Sequence, residues 1–256
     1  MSVRQGLATT VAPMVLRLTL GLTFLWAGLS KLNAYDPVQG SDAAALANAG
    51  ATLGRVNSDT PPPPPPTPEK PTEKDVEDAK KDKAPGDPGP LVHTASEFVQ
   101  PVQVRRLHTE VTLALLRASE PPAAIEGKPA LKPTWPTWAS GSNAVIIAWA
   151  VMVIDLAGGV CVGLGLLTRL WAAGMVFHMA GGLWLTTIGP AWAAGDAVLG
   201  FLPRHDPWDL AYWSFPLWQL ALLALSAVLL CIGPGPMSLD RPLLGSPTKP
   251  STRPAV

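Results

Sequence analysis

Apolar residues gather into four long runs, and one very polar stretch separates the first run from the other three. The runs are Ala12–Leu32, Ala144–Leu164, Leu170–Ile188 and, from about Pro216, a last one ending at Ile232. About 21 residues at 1.5 Å of rise each span the ~30 Å hydrocarbon core of a bilayer. The pattern therefore predicts four membrane-spanning helices. A cleaved signal peptide is the alternative for the first run, but Arg17 interrupts it and its length suits a span better. Glycines and prolines at 233–236 stop the last helix.

The polar stretch runs from 33 to 143. Six consecutive prolines at 61–66 lead into alternating Lys, Asp, Glu and Pro up to Pro90. Such a segment cannot bury enough apolar surface to offset its ordering entropy, so an extended, largely disordered linker is expected. Short helices are expected on either side. One is the alanine-rich Ser41–Val56; the other is Val102–Ala118, where Val104, Leu107, Val111 and Leu115 recur at helical spacing. Trp135 and Trp138 then read as interfacial anchors before the second span, and the Trp- and Pro-rich connection 189–215 as a segment lying at the interface.

Composition agrees with the pattern. Of 256 residues, 48% are hydrophobic and 15% charged, with 19 basic and 19 acidic side chains. The fold class expected is all-α: an integral membrane four-helix bundle with a long Pro-rich extracytoplasmic insert between helices 1 and 2. The parts are 1–32 (tail and first span), 33–143 (insert), 144–233 (three spans) and 234–256 (tail). Arg4, Arg169, Arg241, Lys249 and Arg253 flank one side against a lone Asp240, which puts both termini and the turn at Arg169 in the cytoplasm. The balanced charge gives no reason to expect a nucleic-acid partner. Cys161 and Cys231 lie within apolar runs and read as small buried hydrophobes. No zinc spacing, phosphate loop, dinucleotide fingerprint or haem-attachment motif occurs, so no catalytic or metal residue is assigned.

The chemistry expected lies inside the spans. Asp155 interrupts the second run and shares a helix face with Met152, Gly158, Gly159 and Val162. An acid at this depth is costly in lipid, by ~2.5–3.5 kcal/mol on insertion scales, so it should face other helices. Arg17, Gly21, Phe24, Gly28 and Lys31 form one stripe of the first span; His178 shares its face with Gly174, Gly181 and Gly182; Gln219 and Ser226 line the fourth. The glycines at 21, 28, 158, 159, 181 and 182 are the expected helix-packing positions. Counting from the cytoplasmic side, Arg17 lies about five residues in, and Asp155 and His178 about nine, a height difference of ~6 Å. A cluster of Asp155, Arg17 and His178 is therefore expected, with Lys31 and Gln219 as further candidates. Nearby opposite charge favours the carboxylate, and desolvation alone favours the neutral acid. Such a cluster serves to fix helix register, to bind a polar head group, or to relay a proton.

Three segments resemble the DoxX family of small four-span bacterial membrane proteins. RLTLGLTFLWAGLSKL is similar to that family's first helix, DLAGGVCVGLGLLTRL to its second with the turn that follows, and GPGPMSLDRPL to its closing segment. The resemblance implies an inner-membrane helix bundle, and a non-catalytic subunit that anchors or assembles a quinone-linked redox system. Quinone is then the one candidate cofactor, and membrane lipids, other membrane or periplasmic subunits and a second copy of the chain are the candidate partners. Two departures stand out: Asp155 occupies a position where Glu is commoner, and the insert is far longer than the family's first loop. Two further readings compete, a scaffold whose periplasmic insert docks a partner and a proton-coupled transporter.

Overall fold

The computed structural model describes residues 10–54, 92–121, 131–235 and 237–240. In chain order the helices are α1 (Ala12–Asn33), α2 (Gly40–Asn48), α3 (Leu113–Ser119), α4 (Ser142–Leu164), α5 (Thr168–Leu183), α6 (Gly189–Ala193) and α7 (Leu210–Ile232). The strands are β1 (Tyr35–Val38), β2 (Leu53–Gly54), β3 (Val102–Arg105), β4 (Ala197–Val198) and β5 (Leu202–Pro203). The chain is mostly helical. Three helices, α1, α4 and α7, are long and apolar enough to cross a membrane.

Their surfaces are apolar on the outside as well as within. Leu22 and Trp26 on α1, Ile146 and Val153 on α4, and Leu217 and Trp218 on α7 are all exposed. A water-soluble domain seldom presents so much contiguous apolar surface, whereas lipid requires it. The helix α5 has 16 residues, but a π-helical turn at Trp184–Ile188 and then α6 carry the same rod onward to Ala193. Helix α1 packs along α4, α4 on α5, α5 on α7, and α7 back on α1.

Small residues set the closest of these approaches. A Cβ added to Gly159 would lie 2.6 Å from the Leu25 amide nitrogen and 2.8 Å from the Gly21 carbonyl, so α1 and α4 touch backbone to backbone. Gly28 similarly faces Leu156, and Gly158 faces Trp171 and Met175. Gly182 approaches the Gln219 amide. Gly181 is the exception: a Cβ there meets nothing within 4 Å, so it is not a packing position.

The insert departs from an all-helical reading. β3 pairs antiparallel with both β1 and β2, in the order β1-β3-β2, with Tyr35 opposite Arg105 and Leu53 opposite Val104. Val102–Arg105 was expected as the start of a helix. Its alternation of branched apolar and polar side chains also fits a strand, and two flanking strands decide the matter by satisfying its backbone groups. Helical structure begins only at Arg106, passes through a π-helical turn at His108–Thr112, and continues as α3. The helix expected at Ser41–Val56 ends at Asn48, where Gly50 turns the chain at φ +87° into β2. The Pro-rich segment lies outside the described residues.

The sheet, α2 and α3 share a core of Val38, Leu46, Val104 and Leu115, which also takes in Ala144 at the start of α4. Leu107 packs on Ala148 and Met152. This part of the insert is therefore seated on α4. Trp138 is exposed, whereas Trp135 packs against the insert core.

Two further boundaries differ from expectation. Helix α7 begins at Leu210 rather than near Pro216, because Asp209 accepts the Tyr212 amide as an N-cap. Pro216 then sits inside the helix, with no N–H to offer the Tyr212 carbonyl. Cys231 is exposed on α7 rather than buried, and Cys161 is partly buried; both are free thiols.

Candidate functional site, a buried carboxylate between three helices

Asp155 is completely buried at the middle of α4. Lys31, near the end of α1, donates through Nζ to Asp155 Oδ2 at 2.9 Å. His178 of α5 brings Nδ1 to 2.9 Å from Asp155 Oδ1, close enough for an ion pair but not aligned as a hydrogen bond. The imidazole also meets Phe24 edge to face, with 6.2 Å between ring centroids. Its Nε2 has no hydrogen-bond partner among the described residues, and the side chain is 11% exposed.

Arg17 does not join this cluster. Its guanidinium is buried at the opposite end of α1, where Nη2 donates to the Met237 carbonyl at 2.8 Å. The reason is the direction of side chains on antiparallel helices. Each Cα–Cβ bond tilts toward its own helix N-terminus, so Arg17 leans toward the start of α1 while Asp155 leans toward the insert. That same tilt brings Lys31 down and Asp155 up until they meet. Rise alone, without the tilt, picks the wrong cation. Gln219, on α7, approaches Gly182 one turn along α5 from His178 and accepts from Thr186 Oγ1 at 3.3 Å, and Ser226 is fully buried on α7.

The insert supplies the residues that the stripe pattern overlooked. Glu110, in the π-helical turn, places Oε2 at 3.9 Å from Lys31 Nζ and Oε1 at 3.9 Å from Arg106 Nε. Arg106 in turn donates through Nη2 to Asp36 Oδ1 at 3.1 Å and through Nη1 to Ser30 Oγ at 3.1 Å. Thr109 donates to Asp36 Oδ2 at 2.7 Å. A continuous row of ionisable groups therefore leads from His178 through Asp155, Lys31, Glu110 and Arg106 to Asp36. Burial pushes the Glu110 carboxyl above its usual range, against the pull of Lys31 and Arg106. Asp36 is held below its usual range, chiefly by the hydrogen bond from Arg106. The one signal available was the Arg106–Glu110 spacing of four, which on a helix turn places both charges on one side.

At the other end of the helices the closing segment folds back. Asp240 accepts the Thr168 amide at 3.1 Å and the Thr168 hydroxyl at 3.0 Å, and also accepts from the amide of Leu167. It thereby caps α5 from outside, and it holds Leu167 in a left-handed conformation that a branched side chain rarely adopts. Arg17, Gly165 and Ser238 crowd beneath it. This is a structural closure, separate from Asp155.

A cleft of about 540 Å³ lies between the β4–β5 hairpin and the start of α7, lined by Pro203, His205, Trp208 and Trp213. None of the buried ionisable groups lines it. No group of His, Cys, Asp and Glu arranged to hold a metal ion occurs among the described residues. No protein-family model, curated protein or solved structure matches the chain.

Proposed function

We propose that this protein is a DoxX-like integral membrane subunit of the bacterial inner membrane, an accessory component of a quinone-linked redox assembly. In this reading α1, α4, α5 with its continuation to Ala193, and α7 form a four-span bundle. The rod from Thr168 to Ala193, about 26 residues at 1.5 Å of rise each, is long enough for the fourth crossing. Both termini are cytoplasmic, as the flanking Lys and Arg require. The insert then lies on the periplasmic side, and the exposed tryptophans at 138, 192 and 208 mark that interface.

The observation that carries the proposal is Asp155, wholly buried, with the Lys31 ammonium and the His178 imidazole each 2.9 Å from it. Ionisable groups at such depth are retained where a polar ligand or a proton must be handled. The Nε2 of His178, without a partner among the described residues, is the ring nitrogen available to a quinone, with Asp155 2.9 Å behind Nδ1. A quinone supplies two-electron redox chemistry when bound; the chain itself contributes a hydrogen bond, an oriented imidazole and a dry surround.

Native purification in mild detergent, with bound small molecules identified by mass spectrometry, tests this reading. Quinone retained by the wild type and lost from His178→Ala is the expected result. Absence of quinone, together with unchanged respiratory flux in Asp155→Asn, rejects it.

A further inference from the structure

The row of ionisable groups has a direction. Within it, exposure rises from a carboxylate with no exposed surface, past a lysine that is 12% exposed, to a glutamate whose side chain is half exposed. From this gradient, resting on the reading of Asp155 as a working site, we infer that Glu110 is the proton-exchanging residue linking the buried Asp155–Lys31 pair to water on the insert side.

Among the described residues, the charged or titratable side chains within ion-pair distance of the pair come from α5 and the insert. Helix α1 contributes Lys31 and α5 contributes His178. The insert contributes Glu110, with Arg106 and Asp36 behind it. Helix α7 faces the bundle with Gln219 and Ser226, which are uncharged. Apart from His178, whose side chain is 11% exposed, the groups with links outward are on the insert side. At the other end, Arg17 is tied to the closing segment and contributes no step.

The transfer balances without any further reactant. Lys31 gives one ammonium proton to an Asp155 carboxylate oxygen across 2.9 Å, leaving a neutral amine and a carboxylic acid. Protonated Glu110 then returns a proton to the amine and becomes a carboxylate, and a hydronium ion from water on the insert side reprotonates Glu110. The net change is one proton moved from the insert side to Asp155. The gap of 3.9 Å between Glu110 and Lys31 closes by rotation of the glutamate or by one bridging water. The π-helical turn that carries Glu110 has the geometry for this: such turns widen a helix by one residue and recur at functional positions. Arg106, held by Asp36 and Ser30, keeps Glu110 near the lysine without forming a close pair that would lock it.

Time-resolved infrared spectroscopy on the full chain tests the inference. The chain is reconstituted in sealed phosphatidylcholine vesicles with the insert outward, and an impermeant caged proton is photolysed outside. The Asp155 acid carbonyl band, identified by its loss in Asp155→Asn, should rise in the wild type and in Glu110→Asp. In Glu110→Gln the rise should slow at least about a hundredfold, the smaller end of what a positioned proton donor contributes. A Glu110→Gln response as fast as wild type overturns the inference, and so does a wild-type band that never rises or that follows protons released inside. Quinone content of the same preparation separates the two readings. Quinone absent with a slowed Glu110→Gln removes the redox assignment and leaves the relay, whereas quinone bound with an unslowed Glu110→Gln does the reverse.

Discussion

Lys31 and Asp155 stand 124 positions apart in the chain, yet Lys31 Nζ donates to Asp155 Oδ2 at 2.9 Å in an interior from which the acid has no exposed surface. Removing one partner of a buried pair leaves an uncompensated charge, at a cost of about 3–5 kcal/mol. Lys31→Met should accordingly lower the unfolding midpoint in detergent by far more than a neutral substitution such as Leu29→Met on the exposed face of the same helix. Thermal unfolding of the two purified variants, followed by tryptophan fluorescence, reads the difference.

The contact of α1 with α4 depends on the absence of side chains at two places. Gly159→Ala puts a methyl group 2.6 Å from the Leu25 backbone, so the helices must separate, at about 1–3 kcal/mol. Gly163→Ala and Gly181→Ala meet nothing within 4 Å and should leave stability unchanged. Measured on the same unfolding curve, these three glycines of similar sequence context should fall into two classes.

Acid should release the insert. Asp36 is held below the ordinary carboxylate value near 3.8 by Arg106, so its contribution is complete above that value and is lost as pH falls through the depressed folded value. Hydrogen exchange of β1 and of residues 106–109 should therefore accelerate below about pH 4, and Asp36→Asn should show fast exchange already at neutral pH.

The closing segment should stabilise α5 from the far end. Asp240→Ala removes the acceptor for the Leu167 and Thr168 amides, and loss of a helix cap of this kind costs about 1 kcal/mol. Exchange at the first turn of α5 should quicken, with the spectrum of the insert sheet unaltered.

How much of this was legible in the sequence differs from element to element. The apolar runs locate α1 and α4 within about two residues, because a membrane span leaves a long, uniform hydrophobic signal. The stripes also bring Asp155 and His178 together, since small residues mark packed faces. Height along a helix is easily counted and favours Arg17 over Lys31, whereas the tilt of each side chain toward its own N-terminus enters only when two antiparallel helices are set side by side. The strand at Val102–Arg105 stayed hidden because four residues suit either periodicity, and the pairing that decides between them comes from β1 and from β2 across the Pro-rich segment. Glu110 was invisible for the same reason. Its importance lies in a neighbour on α1 that only the folded insert brings within 3.9 Å. The start of α7 was missed because Pro216 looks like a beginning, while the cap at Asp209 sets the start two turns earlier.

A double-mutant cycle on Asp155 with each of the two basic residues of α1 tests the buried pairing most directly. Unfolding free energies are measured in one detergent for Asp155→Asn, Lys31→Met, Arg17→Met and the two double variants. Lys31 and Asp155 should couple by about 0.5–3 kcal/mol, as contacting charges do, while Arg17 and Asp155 add to within ~0.5 kcal/mol. Additivity for Lys31, or coupling to Arg17 in its place, contradicts the arrangement of the helices and the site built on it.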